Sequence, residues 1–351
     1  MTLEAHLLDR IAREGPLSVA EYMTDCLLHP TLGYYTTRDP LGAAGDFTTA
    51  PEISQMFGEL IGLALAQAWM DQGCPAPFTL AELGPGRGTL MADILRATKS
   101  VSGFLDAAQI TLIEASPVLR QKQRDMLQGS AVQWIETTNH LPDAPLFLVA
   151  NEFFDALPIR QFVRTGPGWR ERCIGAPDGK LAFGLGPPGK WADLDHRLED
   201  TKDGDLIETS RPAQAILDDI GHRIETFGGA GLIIDYGDWR TLGDTLQAVR
   251  AHEYVDPLSA PGQADLTAHV DFEALCASVP CAHTRVTPQG IFLERLGISQ
   301  RAEALAKTGC QARKDVIVAH HRLTHPTEMG NLFKTLGLFP TNGPPPPGLD
   351  P

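Results

Sequence analysis

The stretch TLAELGPGRGTLMADIL, residues 79–95, constrains this chain more than any other. An apolar run reads as a buried strand, three glycines (Gly84, Gly86 and Gly88) follow within five residues, and a helical segment opens behind them. Glycine takes φ above zero without strain and lets backbone approach a ligand closely. A strand that turns on glycine into a helix is the first unit of an α/β sheet, and the turn holds one of three ligands. A phosphate loop needs GxxxxGK followed by Ser or Thr. Counted from Gly84, the last positions here are Thr89 and Leu90, so the lysine is missing. A dinucleotide fingerprint needs GxGxxG with an acid roughly 20 residues on. Here Thr89 stands at the third glycine, Gly88 comes one residue early, and the acid Glu114 lies further along the chain. A dinucleotide is thus poorly supported, and a nucleoside without phosphate fits better. Glu82, Gly84, Gly86 and Gly88 form an ExGxGxG pattern, in which Glu82 would repel a phosphate but favours a sulfonium or ammonium.

Downstream of the turn, strands and helices alternate. FTLAEL, QITLIEA, VQWIE and PLFLVANEFF read as strands, with TLMADILRAT and SPVLRQKQRDML as helices between them. GGAGLIIDYG returns to buried-strand character after an intervening segment. Apolar strands separated by helices predict an α/β, doubly wound, mostly parallel sheet. Upstream, residues 3–13 read as a helix, and a second follows with Ser18 as N-cap and Glu21 completing a capping box. EISQMFGELIGLALAQAWMDQG reads as one long helix closed by Gly73. The predicted organisation is N-terminal helices with a pocket-covering loop over 1–75 and a first part of the core over 76–160. An inserted subdomain over 161–228, a second part of the core with C-terminal helices over 229–340, and a Pro-rich tail over 341–351 complete it. QFVRTGPGWRERCIG has hairpin character, DTLQAVRAHEYV reads as a further strand, and NGPPPPGLDP cannot form helix or sheet.

Charge excludes one class of partner. With 29 basic and 44 acidic residues, the net charge is −15, unlike the basic face that a nucleic-acid binder needs. Such a surface attracts a basic partner instead. The six cysteines are scattered without a CxxC pair, which fits a reducing compartment. No apolar run reaches membrane-spanning length, and the start MTLEAHLLDRIAREG has neither signal nor transit character. The expectation is a cytoplasmic protein with no membrane insertion. Cys276, Cys281 and His283 match no common zinc spacing, so no metal is expected, and no GxSxG turn supports a hydrolase.

A second dense stretch is LVANEFFDALPIRQF, residues 148–162. In open α/β sheets ligands bind beyond the carboxyl ends of the strands. Asn151, Glu152 and Asp155 are therefore candidates at the exit of the fourth strand, with Phe153 and Phe154 walling the Glu152 carboxylate. The acid Glu114 ends the second strand, where it can accept hydrogen bonds from two ribose hydroxyls. The loop GYYTTRDPLGAAGDFTTAPE is a candidate lid, with Tyr34, Tyr35, Asp46 and Phe47 lining the pocket.

SVAEYMTDCLLHPTLGYYTTRDPLGAAGDFTTAPEISQMFGELIG, ELGPGRGTLMADILR, NEFFDALPIRQF, LIIDYG and PGQADLTAHVDF together resemble the MidA-type family. These are complex I assembly-factor proteins similar to class I S-adenosylmethionine-dependent methyltransferases. The resemblance runs from about residue 15 to 340. It implies a protein arginine methyltransferase that makes symmetric dimethylarginine on a subunit of the NADH:ubiquinone oxidoreductase, with S-adenosyl-L-methionine as cofactor. It also implies that Gly84, Gly86 and Gly88 line the methionine part of the cofactor and that Glu114 holds the ribose. In the same reading Glu152 and Asp155 grip the substrate guanidinium. Two alternatives stand beside it. One is a non-catalytic assembly chaperone on the same fold, and the other an NAD-binding oxidoreductase, which Thr89 disfavours.

Overall fold

The structure of the chain, a computed structural model, is described for residues 2–37, 48–307 and 310–351. It divides into two units. One comprises Met1–Phe47, Asp155–Ala213 and Trp239–Leu275; the other comprises Thr48–Phe154, Gln214–Asp238 and Cys276–Pro351.

The second unit holds the sheet. Its main strands are β1 (Phe78–Leu83), β2 (Ala108–Ile113), β3 (Val132–Ile135), β4 (Leu146–Asn151), β5 (Gly229–Asp238) and β6 (Phe333–Phe339), with short two-residue strands added at β5 and β6. They run in the order β6-β5-β4-β1-β2-β3. All pairings from β3 to β5 are parallel, and β6 lies antiparallel to β5. This is the doubly wound, mostly parallel sheet expected from the sequence, with its switch point between β1 and β4. Every residue of β1 and of β4 is buried, as two-sided central strands require. The helix after β1, α2 (Thr89–Thr98), and the one after β2, α3 (Pro117–Met126), stand where the alternation placed them. Below α2 lies α1 (Gln55–Asp71). Trp69 of α1 joins Phe78, Phe104 and Phe147 in one aromatic cluster, with neighbouring centroids 5.0 to 5.8 Å apart.

The sequence reads α1 as part of a longer helix, and the structure breaks it at Ser54. Ser54 is extended (φ −163°, ψ 140°), and its hydroxyl accepts from the Met56 backbone N–H at 3.2 Å. A short turn, Ala50–Ile53, precedes the break. A serine that caps the following helix competes with continuation of the preceding one, and periodicity alone does not register that competition. The Pro-rich tail is not loose: Leu349 is buried, and its methyl lies 2.8 Å from where a Cβ on Gly337 of β6 would stand.

The other unit is built on Leu17–Ser18, Arg160–Thr165, Gly168–Gly175, Ala182–Gly189 and Leu206–Thr209, paired into one sheet. The hairpin expected at Gly166 is present. The single strand read from DTLQAVRAHEYV is instead a hairpin, Gln247–Arg250 against Glu253–Val255. It turns on Ala251 and His252 with φ of 51° and 63°. Neither residue is a turn former by composition, so the reversal left no sequence signal. The helix Val19–Leu28 carries the expected capping box of Ser18 and Glu21.

The α1–α2 contact yields a stability prediction. A Cβ on Gly62 would stand 2.9 Å from Ile94 Cα, a backbone atom that cannot rotate away. Gly62→Ala gains about 1 kcal/mol of helix propensity and meets an overpacking cost of about 1–3 kcal/mol. A net loss of up to about 2 kcal/mol is expected in urea denaturation. A stabilised variant would show that α2 yields to the methyl.

Candidate functional site

Parallel register aligns the strand exits. Leu83 pairs with both Ile113 and Ala150, and Ile234 with Asn151. The ladder continues one residue further: Gly84 N–H donates to the Ile113 carbonyl at 3.0 Å, Glu114 N–H to Ile135 at 3.0 Å, and Glu152 N–H to Ile234 at 2.9 Å. Gly84, Glu114, Glu152 and Asp235 thus leave β1, β2, β4 and β5 along one carboxyl edge, where open α/β sheets bind ligands.

At the first exit, Gly84, Gly86 and Gly88 have φ of 57°, 54° and 86°. A side chain on Gly84 would put its Cβ 2.7 Å from Phe153 Cδ2, so the ring fills the space beside the turn. Glu82, inside β1, is 3 % exposed. Burial pushes its carboxyl up to about 8, against a backbone hydrogen bond from Met91 that lowers it, and the nearby Glu114 charge raises it further. Its Oε2 has no hydrogen-bond partner among the described residues.

At the second exit, Glu114 Oε1 accepts from the Ser116 N–H at 2.7 Å and Oε2 from Gln123 Nε2 at 3.1 Å. Burial raises its pKa, and these donors work the other way. At the fourth exit, Glu152 Oε1 accepts from the Ala50 N–H at 2.9 Å and from Asn151 Nδ2 at 3.0 Å. Its φ of 52° is left-handed for a non-glycine residue, a conformation that needs outside support. Asp235 supplies it. This fully buried carboxylate accepts from the N–H groups of Phe153 (3.2 Å), Phe154 (2.9 Å) and Tyr236 (2.9 Å).

Sequence reading missed Asp235 and Gln123 as contributors. For Asp235 a signal exists: it ends the apolar run LIID just as Glu114 ends TLIE. Gln123, one of several polar residues on α3, has none. Thr89, the residue that spoils the dinucleotide fingerprint, donates its hydroxyl to Glu52 Oε1 at 2.6 Å.

The remaining candidates belong to the other unit. Tyr34 is fully buried, and Tyr35 Oη donates to Asp265 Oδ1 at 2.7 Å. Burial, then the charges of Asp265 and Asp155, hold the Tyr35 phenol well above its usual range. Asp155 is buried and its carbonyl accepts from the Ala268 N–H at 2.9 Å. Asp46 and Phe47 lie outside the described residues. No helix among the described residues is long and apolar enough to cross a membrane.

Comparison with known proteins bears on this geometry. The family described as "Putative S-adenosyl-L-methionine-dependent methyltransferase" matches residues 60–291. Protein arginine methyltransferase NDUFAF7, mitochondrial, from Xenopus tropicalis is 37% identical over 95% of this chain and 85% of its own length. The protein of the same description from Homo sapiens is 36% identical over 95% and 82%. Among solved structures, a COG1565 superfamily member from Burkholderia thailandensis, bound to S-adenosyl-homocysteine, is 30% identical. It covers 97% of this chain and 92% of its own, with a TM-score of 0.84. These relatives overturn the cytoplasmic expectation, since the curated ones are mitochondrial proteins. Cysteine usage reports a reducing milieu without telling one such compartment from another.

The buried Glu82 generates a pH prediction. With its folded pKa near 8 and an ordinary value of 4.5 when unfolded, the folded state keeps a proton that the unfolded chain has released. Stability from this group is therefore full below about 4.5 and lost as pH rises through about 8. Glu82→Gln stays neutral throughout. Thermal melts of ligand-free protein should show the variant gaining on the parent between pH 5 and pH 8.5. Parallel curves would mean that Glu82 is ionised in the fold already.

Proposed function

The chain belongs to the S-adenosyl-L-methionine-dependent methyltransferase family that its residues 60–291 match, and from that premise we propose that it methylates arginine side chains of a protein. The observation that carries the reading is the row of acids at the carboxyl edge of the sheet. The cofactor and an arginine substrate are both cationic where they react, and Glu82, Glu114 and Glu152 stand at the exits of adjacent strands, the Glu114 and Glu152 carboxylates taking N–H donors from backbone and amide groups. The residues fit the cofactor. Glu82 offers a buried carboxylate oxygen with no protein partner among the described residues, suited to a positive group. The left-handed glycines bring backbone close to a ligand without a Cβ in the way. Glu114, at the end of β2, would accept the ribose hydroxyls. When bound, S-adenosyl-L-methionine supplies the electrophilic methyl on its sulfonium.

An arginine guanidinium keeps its proton at neutral pH, with a pKa above about 12, and its lone pairs are delocalised. What the protein must do is hold it and aim one nitrogen. Glu152 is the proposed grip. Its left-handed backbone turns the side chain out of the β4 ladder, and Asn151 Nδ2 steadies one carboxylate oxygen. Desolvating the guanidinium is costly without a counter-charge, and a carboxylate offsets that cost. Each methyl gained is matched by one proton lost from the guanidinium, so no strong base is needed before attack. The assignment is confined to residues of the sheet unit.

The finer reading follows from the MidA-type resemblance and from the description of the relatives as protein arginine methyltransferases. In it the substrate is an arginine-bearing subunit of the NADH:ubiquinone oxidoreductase, and the product is symmetric dimethylarginine. The acidic net charge of −15 suits a basic protein segment.

Glu152→Gln keeps the shape and one acceptor and removes the charge. Calorimetric affinity for S-adenosyl-L-methionine should hold within about threefold, while methyl transfer to an arginine-bearing substrate falls by about two orders of magnitude or more, the scale of a lost buried charge pair. Intact transfer with weakened cofactor binding would move Glu152 to the cofactor side.

A further inference from the structure

Gln123 is a fully buried amide on α3, and all its hydrogen-bonding groups toward the site are in use. Its Nε2 donates to the Gly86 carbonyl at 2.8 Å and to Glu114 Oε2 at 3.1 Å, and its Oε1 accepts from the Trp134 indole N–H at 2.8 Å. Chemistry fixes the orientation of this amide. An indole N–H can only donate and a backbone carbonyl can only accept, so the oxygen must face Trp134 and the nitrogen must face Gly86. With the amide pinned at those two points, its second N–H has one direction left, toward Glu114. Ser116 N–H holds the other carboxylate oxygen at 2.7 Å. The Glu114 carboxylate is thereby clamped from both sides before any ligand arrives. Gln123 is also close beneath the turn: a Cβ on Gly88 would meet its Cα at 3.5 Å.

We propose that Gln123 is a positioning residue for the cofactor. It holds the Glu114 carboxylate in the orientation that receives the ribose diol and ties that orientation to the Gly86 turn. The inference rests on the reading of Glu114 as the ribose acceptor. The physical gain is preorganisation: a glutamate with its rotamers already restricted gives up less entropy when it binds two hydroxyls. A residue acting in this way affects affinity only through Glu114, whereas a residue that merely supports the turn affects every ligand alike.

The test uses the full chain and Gln123→Met, which keeps the volume and removes all three hydrogen bonds. Three ligands are compared by calorimetry, directly or by competition: S-adenosylhomocysteine, adenosine, and 2′,3′-dideoxyadenosine, which lacks both hydroxyls. Gln123→Met should weaken the first two by about tenfold, the scale of a charge-assisted hydrogen bond, and leave the dideoxy compound within about twofold. Added to Glu114→Ala, it should cost no more than about twofold further, because the two changes remove one interaction. An equal loss for all three ligands, or a loss that multiplies with that of Glu114→Ala, overturns the proposal. If Glu114→Ala leaves adenosine affinity unchanged, the reading of Glu114 fails and this inference with it. Should Gln123→Met not fold, Trp134→Phe removes one of the two pins and keeps the ring. It should give a smaller loss, about threefold, in the same ligand pattern. A uniform loss across the ligands counts against the proposal here too.

Discussion

Parallel pairing among β1, β2, β4 and β5 is the constraint on which the site depends. In a parallel ladder neighbouring strands end at the same edge, so one register places four chain-distant residues in a row. Leu83 against Ile113 and Ala150, and Ile234 against Asn151, put the exits of all four strands level. A slip of one residue in any pairing would turn that strand's exit to the other face. Register is held here by burial on both sides, since every residue of β1 and β4 is inside.

The acids at this edge are kept in three different ways. Asp235 is fully buried and takes three backbone N–H groups, so its charge is met by protein dipoles. Hydrogen bonds to a charged group contribute about 1.5–3 kcal/mol each, enough to hold Glu152 in a left-handed conformation that costs about 1–3 kcal/mol. Glu114 has two donors, one on each carboxylate oxygen. Glu82 is the least compensated, and burial dominates it. The gradient from Asp235 to Glu82 separates a carboxylate met by three backbone N–H groups from one with a buried oxygen that has no partner among the described residues.

The glycine turn, the strands around it and the capping box at Ser18 were legible because their causes are local. Each depends on residues close together in the chain, as in ExGxGxG (Glu82 to Gly88) or Ser18 with Glu21. The break at Ser54 and the hairpin at Ala251 and His252 were not legible. In the first, a cap competes with a continuing apolar period; in the second, residues without turn propensity are forced into positive φ by the strands they join. Asp235 and Gln123 were missed for a further reason. Their partners lie 81 and 82 residues away for Asp235, and 37 residues away for the Gly86 contact of Gln123.

The sequence alone therefore determined the fold class and the position of the glycine turn after β1, since backbone freedom and apolar periodicity are properties of short stretches. Tertiary structure decided which acids face one another, which are already satisfied by N–H groups, and which glutamine sets the direction of Glu114. Those are matters of register and burial. A hydrogen bond between strands or helices far apart in the chain exists only after the sheet has brought them level, and nothing in the one-dimensional pattern encodes its geometry.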